Sequence, residues 1–173
     1  MNDYLMDSVT SERLLFRKIT SNDFEKWLPF HKDKRTSEFW SGLPKNPIEA
    51  CHQDFDRTLF RYENNLGGKL ALINKSNGEF IGLCGLLVQK VNNIKEIEIA
   101  YSLLPEYWYK GFATEAAQKC KIYAIENKLA KSLISIIHID NKPSQKIAQN
   151  NLMNIDKTTT YNNNPVHIFR VHI

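Results

Sequence analysis

Apolar and polar residues change period several times along the chain, and each change marks an element. Residues 14–19 read as a short first strand after a flexible start at 1–10. Ser21-Asn22-Asp23 offers a helix N-cap before Phe24, Trp27 and Leu28. Gly42, Pro44 and Pro47 make 39–47 a loop, and Pro47 suits the first turn of a helix over 48–63, where Cys51, Phe55, Leu59 and Tyr62 recur at helical spacing. Three strands follow, at 69–74, 80–89 and 94–104, the first two joined by the turn Ser76-Asn77-Gly78. In the third, Glu96, Glu98, Ala100 and Ser102 share one face, and Ile97, Ile99, Tyr101 and Leu103 the other.

The period then lengthens to that of a helix. Phe112, Ala116, Cys120 and Tyr123 share a face, flanked by Ala113, Ala117 and Ala124, which predicts a helix from 112 to near Asn127. Residues 133–139 form an almost continuous apolar strand, expected to be covered on both faces. A short helix at 143–151 precedes a closing hairpin, 156–161 and 166–171, around Asn162-Asn163-Asn164-Pro165. This order predicts a single α/β (α+β) domain over 1–173, with helices packed on a central sheet.

Composition narrows the picture modestly. The 173 residues are 42% hydrophobic, enough for one buried core. The net charge of +4 comes from scattered Lys and Arg with no run of five, which argues against nucleic-acid binding and leaves room for a polyanionic cofactor. Cys51, Cys84 and Cys120 are too far apart for a disulfide framework or a metal motif, and His31, His52, His138, His167 and His172 add no metal-ligand spacing. No metal is expected. A cytoplasmic setting, without signal peptide or membrane association, is the simplest expectation.

The junction at 103–114 carries the chemistry. A strand ends at Pro105, and a loop with one glycine, Gly111, opens a helix. A helix N-terminus presents unpaired N–H groups and a positive partial charge, so such a junction is an anion site. Gly111 lets backbone approach phosphate, Ala113 leaves the next turn uncrowded, and Lys110 adds a cation. On spacing alone, an ordinary strand-to-helix turn fits as well.

The text YWYKGFATEA at 107–116 resembles the coenzyme-A loop of the GNAT N-acetyltransferases, closest to the branch that acetylates ribosomal-protein N-termini, whose usual text is YWGKGYATEA. SERLLFRKIT, GEFIGLCGL, EIEIAYSLLPEYW and HIDNKPSQKIAQ resemble that branch's opening, central, pre-loop and late segments, in the same order. The resemblance implies a mostly antiparallel sheet of about six to seven strands with helices on both faces, and acetyl-CoA as co-substrate without a metal. It implies that Ser102, Leu103 and Leu104 offer backbone groups to the pantetheine arm. Tyr109, Lys110, Gly111, Phe112, Ala113 and Thr114 would cradle the pyrophosphate. Asn141 would touch the cofactor, and Ser144 would lie near its sulfur. Tyr109 stands where the branch has glycine, and Asn150-Asn151 where the late helix normally ends in Leu-Gly.

Acetyl transfer requires a neutral amine. Deprotonating a lysine-like amine at pH 7 costs roughly 4–5 kcal/mol, an α-amine only about 1 kcal/mol. The resemblance makes Glu98 the general base, directly or through water, with Glu96 as rival. The family's late-helix tyrosine falls at Ala148, leaving Ser144 as the hydroxyl for the departing sulfur. A backbone N–H near Leu103 would hold the carbonyl. His138 reads as a strand-end or core histidine, Cys120 as core, and Cys84 as a nucleophile without an activating partner. Trp27, Phe30, Phe39 and Trp40 lie where the family walls its acceptor site, about half of them plain core.

The expectation is an acetyl-CoA-dependent N-acetyltransferase acting on a protein N-terminus or a small amine by direct attack in a ternary complex. A non-catalytic acyl-CoA-binding module and an aminoglycoside or polyamine acetyltransferase are the alternatives. The closing hairpin offers an edge for a homodimer.

Overall fold

The computed structural model describes residues 3–173. Seven strands form one sheet: β1 (Leu14–Arg17), β2 (Leu70–Asn74), β3 (Phe80–Val91), β4 (Ile94–Leu103), β5 (Ser132–His138), β6 (Asn154–Tyr161) and β7 (Asn164–His172), in the order β1-β2-β3-β4-β5-β7-β6. Every neighbouring pair is antiparallel except β4 and β5. Four helices cover it: α1 (Phe24–Lys32), α2 (Pro47–Glu63), α3 (Phe112–Glu126) and α4 (Lys142–Asn150). The predicted mixed, mostly antiparallel architecture is the one observed.

Alternation within the strands sends side chains to two cores. Leu70, Leu72, Cys84, Leu86, Ile97, Ile99 and Leu103 meet α3 through Phe112, Ala113, Ala116, Ala117, Cys120 and Ala124. The run of alanines lets the helix backbone lie close to the sheet. Ala71 and Leu83 face the other way, onto Trp27 and Leu28 of α1 and Cys51 and Phe55 of α2. The entry to α2 is fixed by Asn46, whose side-chain oxygen accepts from the amides of Ile48 and Glu49 ahead of Pro47 in the first turn.

One expectation is corrected. Residues 4–9 pack along β1 rather than forming a loose start, with Tyr4 and Met6 in the core. Tyr4 is 5% exposed and Met6 fully buried, and the amide of Ser8 donates to the carbonyl of Phe16 at 2.8 Å while that of Phe16 donates to Val9. Two apolar anchors two residues apart suffice to dock the segment alongside β1, a pattern too short to register as an element in the sequence. Residues 1 and 2 lie outside the described structure.

Candidate active site

The site is made where β4 and β5 part. Their pairing is confined to Glu98↔Ile134, whereas β5 pairs with β7 continuously from Ser132 to His138. Past Glu98 the two strands diverge. The Ser135 hydroxyl donates to the Ile99 carbonyl at 2.8 Å at the point of divergence.

The pairing phase revises which backbone groups face the gap. The Leu104 amide donates to Ile81 of β3 at 3.0 Å, so with the observed register the backbones of Glu98, Ala100, Ser102 and Leu104 point to β3, and those of Ile99, Tyr101 and Leu103 to β5. The expected strand-like groups on Ser102 and Leu104 are therefore turned away, and Tyr101 takes their place beside Leu103. The Leu103 carbonyl is itself occupied by the indole N–H of Trp108 at 2.8 Å, which ties the strand to the loop that follows.

That loop leads from the end of β4 into α3. Gly111 caps α3 with φ +80°, and the first helical bond runs from the Glu115 amide to the Gly111 carbonyl. The amides of Phe112, Ala113 and Thr114 thus precede the helical ladder and point outward with the positive end of the helix dipole. Tyr109 adopts φ +59°, the left-handed conformation for which the related branch uses glycine, and its side chain is 87% exposed. Arg13, which the sequence did not single out, clamps the loop. Its guanidinium donates to the Lys110 carbonyl at 3.0 Å, pairs with Glu115 at 2.6 Å and lies 4.2 Å from the centroid of the Phe112 ring. Burial pushes the Glu115 carboxyl up, but donors from Ser11 and Arg13 outweigh it and hold the group below its usual range.

At the inner end of the gap is Glu98, buried between β3 and β5. Burial raises its proton affinity, and Gln89, the Ile136 amide, Arg61 and Lys69 offset part of that rise. The Gln89 side-chain amide donates to Glu98 at 2.7 Å. Glu96, the rival, forms a two-pronged ion pair with Arg170 of β7 at 2.7 and 3.0 Å and so serves as a tie between strands.

The late helix closes the other side. Asn141 caps α4, its side-chain oxygen accepting from the Ser144 amide at 3.1 Å; the N-x-x-S spacing is thus a capping interaction, which leaves the side-chain amide nitrogen of Asn141 as its donor group. The Tyr101 hydroxyl crosses from β4 to donate to the Ser144 carbonyl at 2.8 Å, and burial keeps that phenol protonated. Gln145 fastens α4 to the end of β5 through the carbonyls of His138 and Ile139. Ala148 is buried among Ile137, Met153 and Phe169, so this helix sends no phenol into the gap from the family's tyrosine position.

The remaining candidates separate by position. Trp27 is core, its indole N–H on Asp54 at 2.8 Å, and Phe30 stacks on it. Phe39 and Trp40 instead gather around His138 at the end of β5. Its Nδ1 accepts from the Asp140 amide at 3.1 Å. Cys84 and Cys120 are both buried, their sulfurs 3.6 Å apart between β3 and α3; burial raises the Cys120 thiol well above its usual range, which leaves it a poor nucleophile.

Both the sequence and the fold have counterparts among known proteins. The family model described as an acetyltransferase (GNAT) domain matches residues 13–154. The uncharacterized protein YkkB of Bacillus subtilis is 31% identical over 96 residues, a match spanning 56% of this chain and 56% of that protein. The uncharacterized N-acetyltransferase p20 of Bacillus licheniformis is 26% identical over 148 residues, covering 82% of this chain and 79% of the relative. Among solved structures, an acetyltransferase from Agrobacterium tumefaciens superposes with a TM-score of 0.80 at 23% identity, covering 95% and 94% of the two chains. The ribosomal L7/L12 α-N-protein acetyltransferase RimL in complex with coenzyme A gives 0.74 at 12% identity, covering 96% and 97%. At these identities the superpositions speak to the fold, and the family match to the activity class: the chain belongs to the GNAT acetyltransferases.

Proposed function

We propose that this acetyltransferase uses acetyl-CoA to acetylate a primary amine, a protein N-terminus or a small amine, by direct attack in a ternary complex. The carrying observation is the parting of β4 from β5 beyond Glu98, which leaves a gap with outward backbone groups along one wall, an anion site at its mouth and a buried carboxylate at its inner end. The residues fit the cofactor's chemistry. The amides of Phe112, Ala113 and Thr114, with Tyr109, Lys110 and Gly111 shaping the approach, suit a pyrophosphate. Tyr101 and Leu103 suit the pantetheine amides, as an added strand would.

Glu98 accepts the proton released as the amine nitrogen bonds to the acetyl carbon, directly or through one water. The main-chain N–H of Tyr101 or Leu103 holds the carbonyl oxygen as the C–S bond breaks, and Ser144 donates a hydrogen bond to the departing sulfur. A carboxyl with raised proton affinity is a better base than an ordinary surface glutamate, and an α-amine, costing only about 1 kcal/mol to deprotonate at pH 7, needs least from it. The three cysteines are free and buried, which suits a reducing cytoplasm.

The test is release of free CoA thiol from acetyl-CoA, with N-terminal peptides, polyamines and aminoglycosides as separate acceptors. Turnover on peptides supports the protein-N-terminus reading, and turnover confined to polycations reassigns the acceptor. Cofactor binding with no turnover on any amine overturns the enzyme reading in favour of an acyl-CoA-binding module.

A further inference from the structure

Glu98 has one side-chain hydrogen-bond partner in this structure, and that partner is itself immobilised. Gln89 stands diagonally across the β3–β4 ladder, since Leu87 is the residue directly opposite Glu98 and Gln89 is opposite Glu96. Its Nε2 donates to the Glu98 carboxylate at 2.7 Å. Its Oε1 accepts twice, from the Arg61 guanidinium at 3.0 Å and from the Tyr161 hydroxyl at 3.2 Å. Guanidinium has no acceptor atom, so Arg61 dictates which end of the Gln89 amide faces it and leaves only N–H for Glu98. Arg61 is anchored in turn by the carbonyls of Val88 at 2.9 Å and Leu66 at 3.3 Å. Four elements, α2, β3, β4 and β6, therefore converge on one carboxylate.

The other charged and titratable groups leave this role to Gln89. Arg61 and Lys69 act on Glu98 through space, Tyr161 also acts on it through space but gives its hydrogen bond to Gln89, and the Tyr101 hydroxyl is turned to α4. Glu96 is neutralised by Arg170, and β5 contributes the Ile136 amide. We infer that Gln89 is a positioning residue: gripped by Arg61 and Tyr161, it fixes the Glu98 carboxylate and sets the pH above which that carboxylate can take a proton from the acceptor. The inference rests on Glu98 being the base. Because an N–H donor stabilises the ionised form more than the protonated one, removing it moves Glu98's titration upward.

Protein carrying 13C at the glutamate carboxyls, titrated without any substrate, reads this directly, with Glu98→Gln identifying the resonance. Gln89→Leu is expected to raise the Glu98 midpoint by about one pH unit, a tenfold gain in proton affinity, and Tyr161→Phe to raise it by less. The acid limb of kcat/KM for acetyl transfer should move in step. An unmoved midpoint in both variants, or a loss of activity equal at every pH, overturns the inference. If Gln89→Leu does not fold, Tyr161→Phe alone decides by the same criterion. A midpoint that moves while the acid limb stays in place refutes the base reading and leaves the positioning of the carboxylate standing. An unmoved midpoint beside an acid limb that vanishes in Glu98→Gln does the reverse.

Discussion

The two ends of the gap between β4 and β5 work with different materials. At its mouth the chemistry belongs to the backbone: three amides at the start of α3, a left-handed Gly111 and the outward edge of β4. At its inner end it belongs to side chains: a buried carboxylate, an amide, a guanidinium and a phenol from four elements. Backbone chemistry tolerates most residue types so long as the conformation is held. Side-chain chemistry fails with the loss of a single atom. The first kind of site should thus be hurt mainly by changes that alter loop conformation or charge, the second by nearly isosteric changes.

The largest expected effect attacks the mouth. Gly111→Asp sets a carboxylate against the phosphates, and at about 4 Å with an effective dielectric near 20 that repulsion is worth about 4 kcal/mol, on the order of a thousandfold in affinity. Calorimetric titration with coenzyme A checks it, and unchanged affinity would remove the loop from the cofactor site. Gly111→Ala meets only the end of the Arg13 side chain, at 3.3 Å, and should show little beyond backbone strain.

Glu98→Gln is the isosteric counterpart at the inner end. Turnover should fall by about a hundredfold near neutral pH and by less at alkaline pH, where the amine loses its proton unaided. The fold should respond in the opposite sense. Burial lifts the carboxyl's folded pKa above its unfolded value, so ionised Glu98 costs stability at every pH above both values and nothing below both. The variant is then expected to unfold at higher urea than the parent at pH 7, the gain vanishing as pH drops below the ordinary carboxylate range. A variant less stable at neutral pH would contradict this account of the burial.

Arg170→Met probes a buried tie with no chemistry. It strands Glu96 and should cost about 3 kcal/mol in urea unfolding while leaving the pH profile of turnover in place; a shifted profile would draw Glu96 into the mechanism. The smallest effect is Tyr109→Asn. Asparagine tolerates the left-handed conformation better than tyrosine, so stability should rise by about 0.5 kcal/mol with coenzyme A affinity unchanged. A loss of affinity would give the exposed ring a share in binding.

The same contrast explains what could be read from the sequence. The loop was legible as a possible anion site because a glycine, a cation and a helix start lie side by side, and only the resemblance of YWYKGFATEA to a coenzyme-A loop set it apart from an ordinary turn. Glu98 was legible as one member of a period-two face. Gln89, Arg61 and Tyr161 were not, because nothing in a linear text shows that α2 and β6 reach the same point on β4. Arg13 escaped for the same reason, standing nearly a hundred residues from the loop it clamps. Period two also told which way the side chains of β4 point but not which backbone edge is bonded to β3, so Ser102 and Leu104 were named although their backbone groups face β3, and Tyr101, whose groups face β5, was not.

The strand order carries a consequence in time. β5 touches β4 at a single bridge and owes its long ladder to β7, the last strand in the described chain. During synthesis β1 to β4 can pair as soon as they emerge, each beside its sequential neighbour, β1 and β2 across the helices that separate them in sequence. The far wall of the gap must wait for β7. A chain in which β7 has not yet formed would carry the start of α3 and the carboxylate of Glu98 without the ladder that holds β5 in place across from them.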